Sequence, residues 1–384
     1  MLKWLGRIIV LLGVIAIIGW VWKGEELKRL LAVNSLFSEE KIVNNFSNMD
    51  TMFLNASLTS SGDVSELPVV AAVTLPEGTE DWLESRSATA LVVLKDGAIV
   101  FEDYYQGTGE DDLRISWSMA KSWLSALFGI LLEEGAIGSI DDPVTQYASS
   151  LVGSAYDGAT IKDVLQMSSG VVFDEDYLDY DSDINKMGRV LALGGSMDEF
   201  AAGLTETYAD PGETWQYVSI DTHVLGMVVR GATGRSLTDL LSEKIAEPMG
   251  LEAAPYYLTD GYGVAFALGG LNMKSRDYAR FGQMIANGGR WNGQQIVPEA
   301  WVEESTAPSA PTQTGETGYG YQWWIPVGSD DGQFMARGIY DQYTYIDPSR
   351  NVVIVLNAAN RSFREAGVGR GNEEMFRQIA ESLE

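Results

Sequence analysis

Cysteine is missing from the 384 residues altogether, and histidine occurs once. The first absence removes disulfides, thiolate nucleophiles and cysteine-bound metals, and it leaves the redox compartment open. The second excludes zinc sites built on two or three imidazoles and forces any Ser-His-Asp relay to use His223. His223 falls in a predicted helix among Val224, Leu225 and Val228, where a partly buried structural role fits better, so a catalytic base is sought elsewhere. Basic residues are scarce as well: 26 Lys and Arg stand against 54 Asp and Glu, a net charge of −28. Such a chain repels nucleic acid and anionic lipid, and neither is expected as a partner. Internal repeats and low-complexity tracts are absent too.

What the chain does have, at its start, is a basic lead and an apolar run from Ile8 to Trp22, broken only by Gly13 and Gly19. With Trp4 and Leu5 this approaches the roughly 20 residues of a spanning helix, with tryptophans near both ends. The following Lys23-Gly24-Glu25 lacks the small residues of a cleavage site, so an uncleaved anchor is expected over 1–25. Lys3 and Arg7 precede the run while Lys23, Lys28 and Arg29 follow it, which leaves orientation weakly specified. The expected location is the cytoplasmic (inner) membrane, single-pass, with the body on the extracytoplasmic side.

Residues 26–86 are polar with little periodicity and read as a spacer and wrap-around arm. Regular structure is predicted from residue 87 onward. Ala90–Leu94 and Ile99–Tyr105 flank Lys95-Asp96-Gly97 as a hairpin, and Thr344–Ile346 and Val352–Leu356 form a second one near the other end, followed by a helix over 372–383. Between them, roughly over 118–330, helical patterns dominate: Ile161–Met167, His223–Gly231, Leu237–Ile245 and Ser275–Asn287. Strands from both chain ends around a helical insert predict an α+β fold, an antiparallel sheet flanked by helices with an inserted, mainly helical domain. Its site is expected between the two parts.

Ser118-Met119-Ala120-Lys121 opens the most apolar of these helices, which runs to Leu132 before Gly135. Ser118 and Lys121 share one face a turn apart, so a hydroxyl and an amine meet at a helix start. For the amine to act as base near neutrality its pKa must drop from about 10.4 to near 7, at about 4 kcal/mol. Burial and the helix N-terminus both disfavour the ammonium. A second Ser-x-x-Lys, Ser38-Glu39-Glu40-Lys41, lies in a charged segment without an apolar helix behind it and reads as solvated surface. Tyr217-Val218-Ser219 sits where an aromatic-rich turn enters a helix, and a tyrosine beside a lysine ammonium loses its proton more readily and can shuttle one. The acidic stretch from Asp174 to Asp183 suggests a calcium loop by the alternation of Asp179, Asp181 and Asp183. That pattern fails at Ile184 and Val190, where glycine and a bidentate glutamate are required. A solvated acidic loop favouring cationic substrates is the remaining reading.

In order, Ser118-Met119-Ala120-Lys121, Tyr217-Val218-Ser219 and Ala336-Arg337-Gly338-Ile339 resemble the three motifs of serine β-lactamase-like hydrolases, in particular the class C β-lactamases, related esterases and 6-aminohexanoate-dimer hydrolases. Gly318-Tyr319-Gly320-Tyr321-Gln322-Trp323-Trp324 and Ser275–Gly282 are similar to connecting segments of that group, and the resemblance covers roughly residues 88–384. It implies Ser118 as nucleophile, Lys121 as its base partner, Tyr217 as proton shuttle and the backbone amides of Ser118 and Ile339 as an oxyanion hole. It further implies Ser219, Arg337 and Gly338 as substrate-binding positions, with Tyr177 and Asp181 contacting an amide substrate and its amino end. The chain departs from the group at Ala336-Arg337-Gly338, in place of Lys-Thr-Gly, and at Asp341-Gln342, in place of Gly-Gln. The first removes the lysine that helps hold a β-lactam carboxylate, and the second bears on how closely that strand can approach the nucleophile.

The implied activity is a membrane-anchored serine hydrolase working through an acyl-enzyme on a small ester or amide, with no metal and no cofactor. Two alternatives accompany it: a non-turnover penicillin-recognising sensor, and a D-alanyl-D-alanine carboxypeptidase or β-lactamase. Oligomeric state is not legible in the sequence.

Overall fold

The computed structural model describes Trp4, Arg7 and residues 23–60, 62–329 and 332–384. The apolar run Ile8–Trp22, assigned above to an anchor, lies outside the described residues. Among the described residues no helix is long and apolar enough to cross a membrane.

Seven antiparallel strands form the main sheet, in the spatial order Ala98–Tyr104, Ala88–Lys95, Val352–Ala358, Gln342–Asp347, Phe334–Gly338, Trp324–Ile325, Gly318–Tyr319. An early and a late strand of the chain thus meet as the second and third of the seven, where Ala88–Lys95 pairs with Val352–Ala358. The first hairpin closes through Asp96 (φ 52°) and Gly97 (φ 78°), with Lys95 opposite Ala98. Positive φ at both loop residues matches the twist of the flanking strands, and Asp-Gly is the pair that adopts it cheaply.

Alternation along the central strand feeds two cores. Val92 and Leu94 point into the larger one, shared with the Ser118 helix, whereas Leu91 and Val93 join Trp82, Phe376 and Ile379 beneath the C-terminal helix Val368–Glu381. On the larger side the helix Ser275–Ala286 lies directly on the sheet. Gly282 permits this: a Cβ there would stand 2.6 Å from Val353 Cγ1 and 2.8 Å from Thr344 Cγ2.

The helices between the two sheet halves include Ala120–Glu133, Asp183–Leu193, Met197–Ala202 and Ser219–Thr233. The last is buried along most of its length and packs on the first. The expected α+β architecture is therefore present.

Residues 26–86 are not a loose spacer. The chain is helical over 23–35, Ile42–Ser47 and Thr79–Ser85, and Leu36, Ile42, Phe46, Met49, Phe53 and Leu58 are buried in the larger core. The segment is also tied by its backbone. Asn55–Ser57 pairs with Tyr256–Leu258, and the Arg114 guanidinium donates to Val43 O at 2.9 Å and to Ser47 Oγ at 2.6 Å. The weak periodicity that suggested a spacer reflects short elements whose apolar residues dock on something else instead of on each other. Ser38-Glu39-Glu40-Lys41 belongs to this arm: Glu39, Glu40 and Lys41 are exposed as expected, but Ile42 and Phe46 behind them are buried.

Candidate active site

Three elements converge on Ser118. It lies in the 3₁₀ turn Trp117–Met119 that leads into the helix Ala120–Glu133, and its side chain is half-buried while Lys121 is 1 % exposed. The preceding Trp117 has a φ of 44°, a left-handed conformation unusual for a bulky residue and characteristic of strained functional turns. Phe46 and Phe37 of the arm pack on the Trp117 ring, with centroids 5.5 and 5.6 Å away.

Lys121 is enclosed. Its Nζ donates to Leu268 O at 3.0 Å and lies 5.4 Å from the centre of the Tyr217 ring. Burial brings its pKa down to about 7, against the opposing pull of Glu175 and Asp221. Near neutrality the amine is therefore divided between its neutral and charged forms.

Tyr217 stacks on Trp324 at 5.2 Å and receives the Ser118 hydroxyl as a hydrogen-bonding neighbour. Burial, and then the negative charge of Glu175, push its pKa above the ordinary tyrosine value. This corrects the expectation of an easily ionised phenol. Its hydroxyl keeps its proton at neutrality and can pass one on only as it takes another.

Ser219 begins the helix Ser219–Thr233. Its amide donates to Glu175 Oε1 at 2.5 Å and its hydroxyl to Oε2 at 3.2 Å, and the Tyr177 hydroxyl also donates to Oε2, at 3.1 Å. Glu175 thus joins the acidic loop to the second motif. Burial raises its pKa, while the Ser219 amide and the Lys121 charge work in the opposite direction. Asp221, fully buried, accepts from Tyr156 at 2.7 Å and Ser169 at 2.9 Å, and burial lifts its pKa to about 7. Neither carboxylate was singled out from the sequence. Nothing in the spacing separates Glu175 from the other acids of its loop, and Asp221 lies in an ordinary helical stretch.

The third motif is the end of strand Phe334–Gly338. A Cβ at Gly338 would stand 2.5 Å from Ser116 O and 3.1 Å from Ser118 N, so only glycine lets this strand lie against the nucleophile turn. The close approach questioned at Asp341-Gln342 is therefore kept. The chain turns sharply just beyond, with Tyr340 (φ 61°) and Asp341 (φ 62°) both left-handed, and Asn360 donates to Asp341 at 2.6 Å. Arg337 lies between rings, its guanidinium 5.3 Å from the Trp324 centroid and 5.7 Å from that of Tyr343.

Asp181 is not part of this assembly. It is exposed, lines neither cavity beside Ser118, and spends its amide on Asp179 Oδ1 at 2.9 Å. The loop aspartates mostly cap their own turn: Asp174 bonds the amide of Asp176, and Asp176 that of Leu178. His223 is likewise apart, paired through Nε2 with Asp198 at 2.7 Å. Burial opposes the charge on Asp198, but hydrogen bonds from His223 and Arg230 hold its carboxyl well below the usual range.

Two cavities open at Ser118. One, about 240 Å³, is the more polar of the two and is lined by Glu175, Tyr177, Tyr217, Trp324, Arg337 and Ile339 among others. The second, about 110 Å³, is apolar and shares only Ser118, Tyr177 and Ile339 with the first.

A serine at a helix start, its buried lysine, a tyrosine above both and a strand end against the serine amide agree with the match of residues 80–376 to the Beta-lactamase family model. The chain belongs to that family. It is 32 % identical over 298 residues, 74 % of this chain and 75 % of the other, to the 6-aminohexanoate-dimer hydrolase of Paenarthrobacter ureafaciens. A Bacillus anthracis structure provisionally given the same activity superposes with a TM-score of 0.80 at 26 % identity, over 91 % of this chain and 96 % of that one. EstCE1, a hydrolase with promiscuous acyltransferase activity, shares the fold at a TM-score of 0.58 and 14 % identity, over 79 % and 96 % of the two chains. The family and the hydrolase names of these relatives make the chain a β-lactamase-related hydrolase.

Proposed function

We propose that this is a serine hydrolase that cleaves a small ester or amide through an acyl-enzyme on Ser118. The observation that carries the reading is the buried Lys121 amine, one turn from Ser118 and with a pKa near 7. Lys121, directly or through Tyr217, takes the hydroxyl proton as Ser118 Oγ attacks the carbonyl carbon. The oxyanion forms against the amides of Ser118 and Ile339. Tyr217 hands a proton to the departing alcohol or amine as it takes one from the Lys121 ammonium, and water then repeats the sequence in reverse to release the acid. Arg337, seated between Trp324 and Tyr343 in the polar cavity, suits an anionic group on the leaving portion. The hydrolase name of the Paenarthrobacter relative supports an amide as one substrate type.

The domain reading belongs here too: an anchor over 1–25, an arm over 26–86 and a catalytic body over 87–384, the body held outside the cytoplasm. Its support is the apolar run Ile8–Trp22 flanked by Trp4 and Lys23.

Intact mass after exposure to a fluorophosphonate tests the chemistry. The parent gains one phosphonyl adduct, whereas Ser118→Ala gains none and Lys121→Ala reacts at least 100-fold more slowly. Equal labelling of Ser118→Ala would end the assignment.

A further inference from the structure

The apolar cavity beside Ser118 is a chamber with a floor from the body and a roof from the arm. Met187, Leu191, Phe266 and Leu268 supply the floor, and Val33, Leu36, Phe37, Met49 and Phe53 supply the roof. Most of its polar lining groups donate elsewhere. Ser219 and Tyr177 donate to Glu175, and the Asn185 amide donates to Tyr177 O at 3.1 Å and Asp179 O at 2.7 Å. Trp117 Nε1 is a spare donor, a buried N–H without a partner among the described residues. An N–H can only donate, so it cannot receive an ammonium. No carboxylate lines this chamber among the described residues.

Which half of a substrate goes where follows from proton transfer. The group that protonates the leaving atom must touch it, and Tyr217 lines the polar cavity alone. The leaving group therefore occupies the polar side, and the acyl group the apolar one.

We propose that the enzyme is selective for substrates with an uncharged, linear apolar acyl group, which fills the chamber roofed by residues 33–53, and that it discriminates against acyl groups ending in an ammonium. The proposal rests on the acyl-enzyme reading given above. Since an apolar cavity of about 150 Å³ accommodates the six carbons of benzene, about 110 Å³ suits a tail of about four to five carbons beyond the carbonyl carbon. Each methylene leaving water for the chamber favours acylation, whereas an ammonium would lose water with no carboxylate among the described lining residues to pair it.

The test uses the purified full chain and p-nitrophenyl esters, which share one leaving group: acetate, butanoate, hexanoate, dodecanoate and 6-aminohexanoate. The expected kcat/KM climbs at least tenfold from acetate to hexanoate and falls for dodecanoate, and hexanoate exceeds 6-aminohexanoate at least tenfold. In Val33→Trp, which thickens the roof from its half-exposed side, the hexanoate-to-acetate ratio drops at least fivefold, with circular dichroism reporting on the fold. A flat series, or 6-aminohexanoate matching hexanoate, overturns the proposal while leaving the serine mechanism standing. Turnover of none of the esters, with no acyl adduct on Ser118 by mass, overturns the mechanism itself.

Discussion

A lysine amine shut away from water gives up its proton at a pH set by how many charges it still sees. Lys121 sees Glu175 and Asp221, both of which favour the ammonium, while burial disfavours it and wins. Its neutral form grows as pH rises through about 7, so the rate of fluorophosphonate labelling should rise with pH and level off above that value. Asp221→Asn keeps an acceptor for Tyr156 and Ser169, and because the Asp221 carboxyl itself ionises near 7 it removes a negative charge only from neutrality upward, where Lys121 then deprotonates more readily. The upper part of the rising limb should move to lower pH, with labelling at pH 7 about 1.5-fold faster, equivalent to about half a pKa unit, and labelling at pH 6 unchanged. A limb that stays put or moves up would refute this electrostatic role. Gly338 acts through space alone. Gly338→Ala would press on Ser116 O, shift the strand from the nucleophile turn and lower the labelling rate about 100-fold with an unchanged circular dichroism spectrum.

Among the elements, those whose own sequence pattern encodes burial were readable. The hairpin around Asp96-Gly97 and the all-apolar helix after Ser118 carry local signals strong enough to stand alone, and Ser118, Lys121 and Tyr217 could be picked from them. The arm carried no such signal because its apolar residues are matched to partners far along the chain: Phe46 to Trp117, Phe37 to Tyr340 at 4.8 Å, and Asn55–Ser57 to Tyr256–Leu258. Strand Phe334–Gly338 was equally silent, since Met335 and Arg337 lie on one face and Ala336 and Gly338 on the other, without a clear polar alternation. In the acidic loop the resemblance pointed to Asp181, whose amide is spent on the loop's own turn, whereas the carboxylate that reaches the second motif is that of Glu175. Arm packing is directly measurable. Phe46→Ala empties a fully buried site and should cost about 3–5 kcal/mol, seen as a lowered urea midpoint. A midpoint equal to the parent's would mean that the arm detaches freely.

Across the whole molecule, the residues proposed for catalysis lie on one segment of chain and another shapes the cavity beside them. The proposed nucleophile, base, proton relay and oxyanion amides all fall between residues 118 and 339, while the roof comes from residues 33–53. If 1–25 anchors the protein, the full chain should sediment with membranes, and a form starting at residue 26 should remain in the supernatant with the same ester preference. Cutting at residue 54 is a different experiment, because it opens the chamber to water and should erase the distinction between hexanoate and acetate while labelling of Ser118 persists. The roof could then be transplanted. A stretch of about fifty residues, grafted from one relative onto another, would carry acyl preference with it and leave the catalytic residues untouched, so selection can retune what is cleaved without risking how it is cleaved.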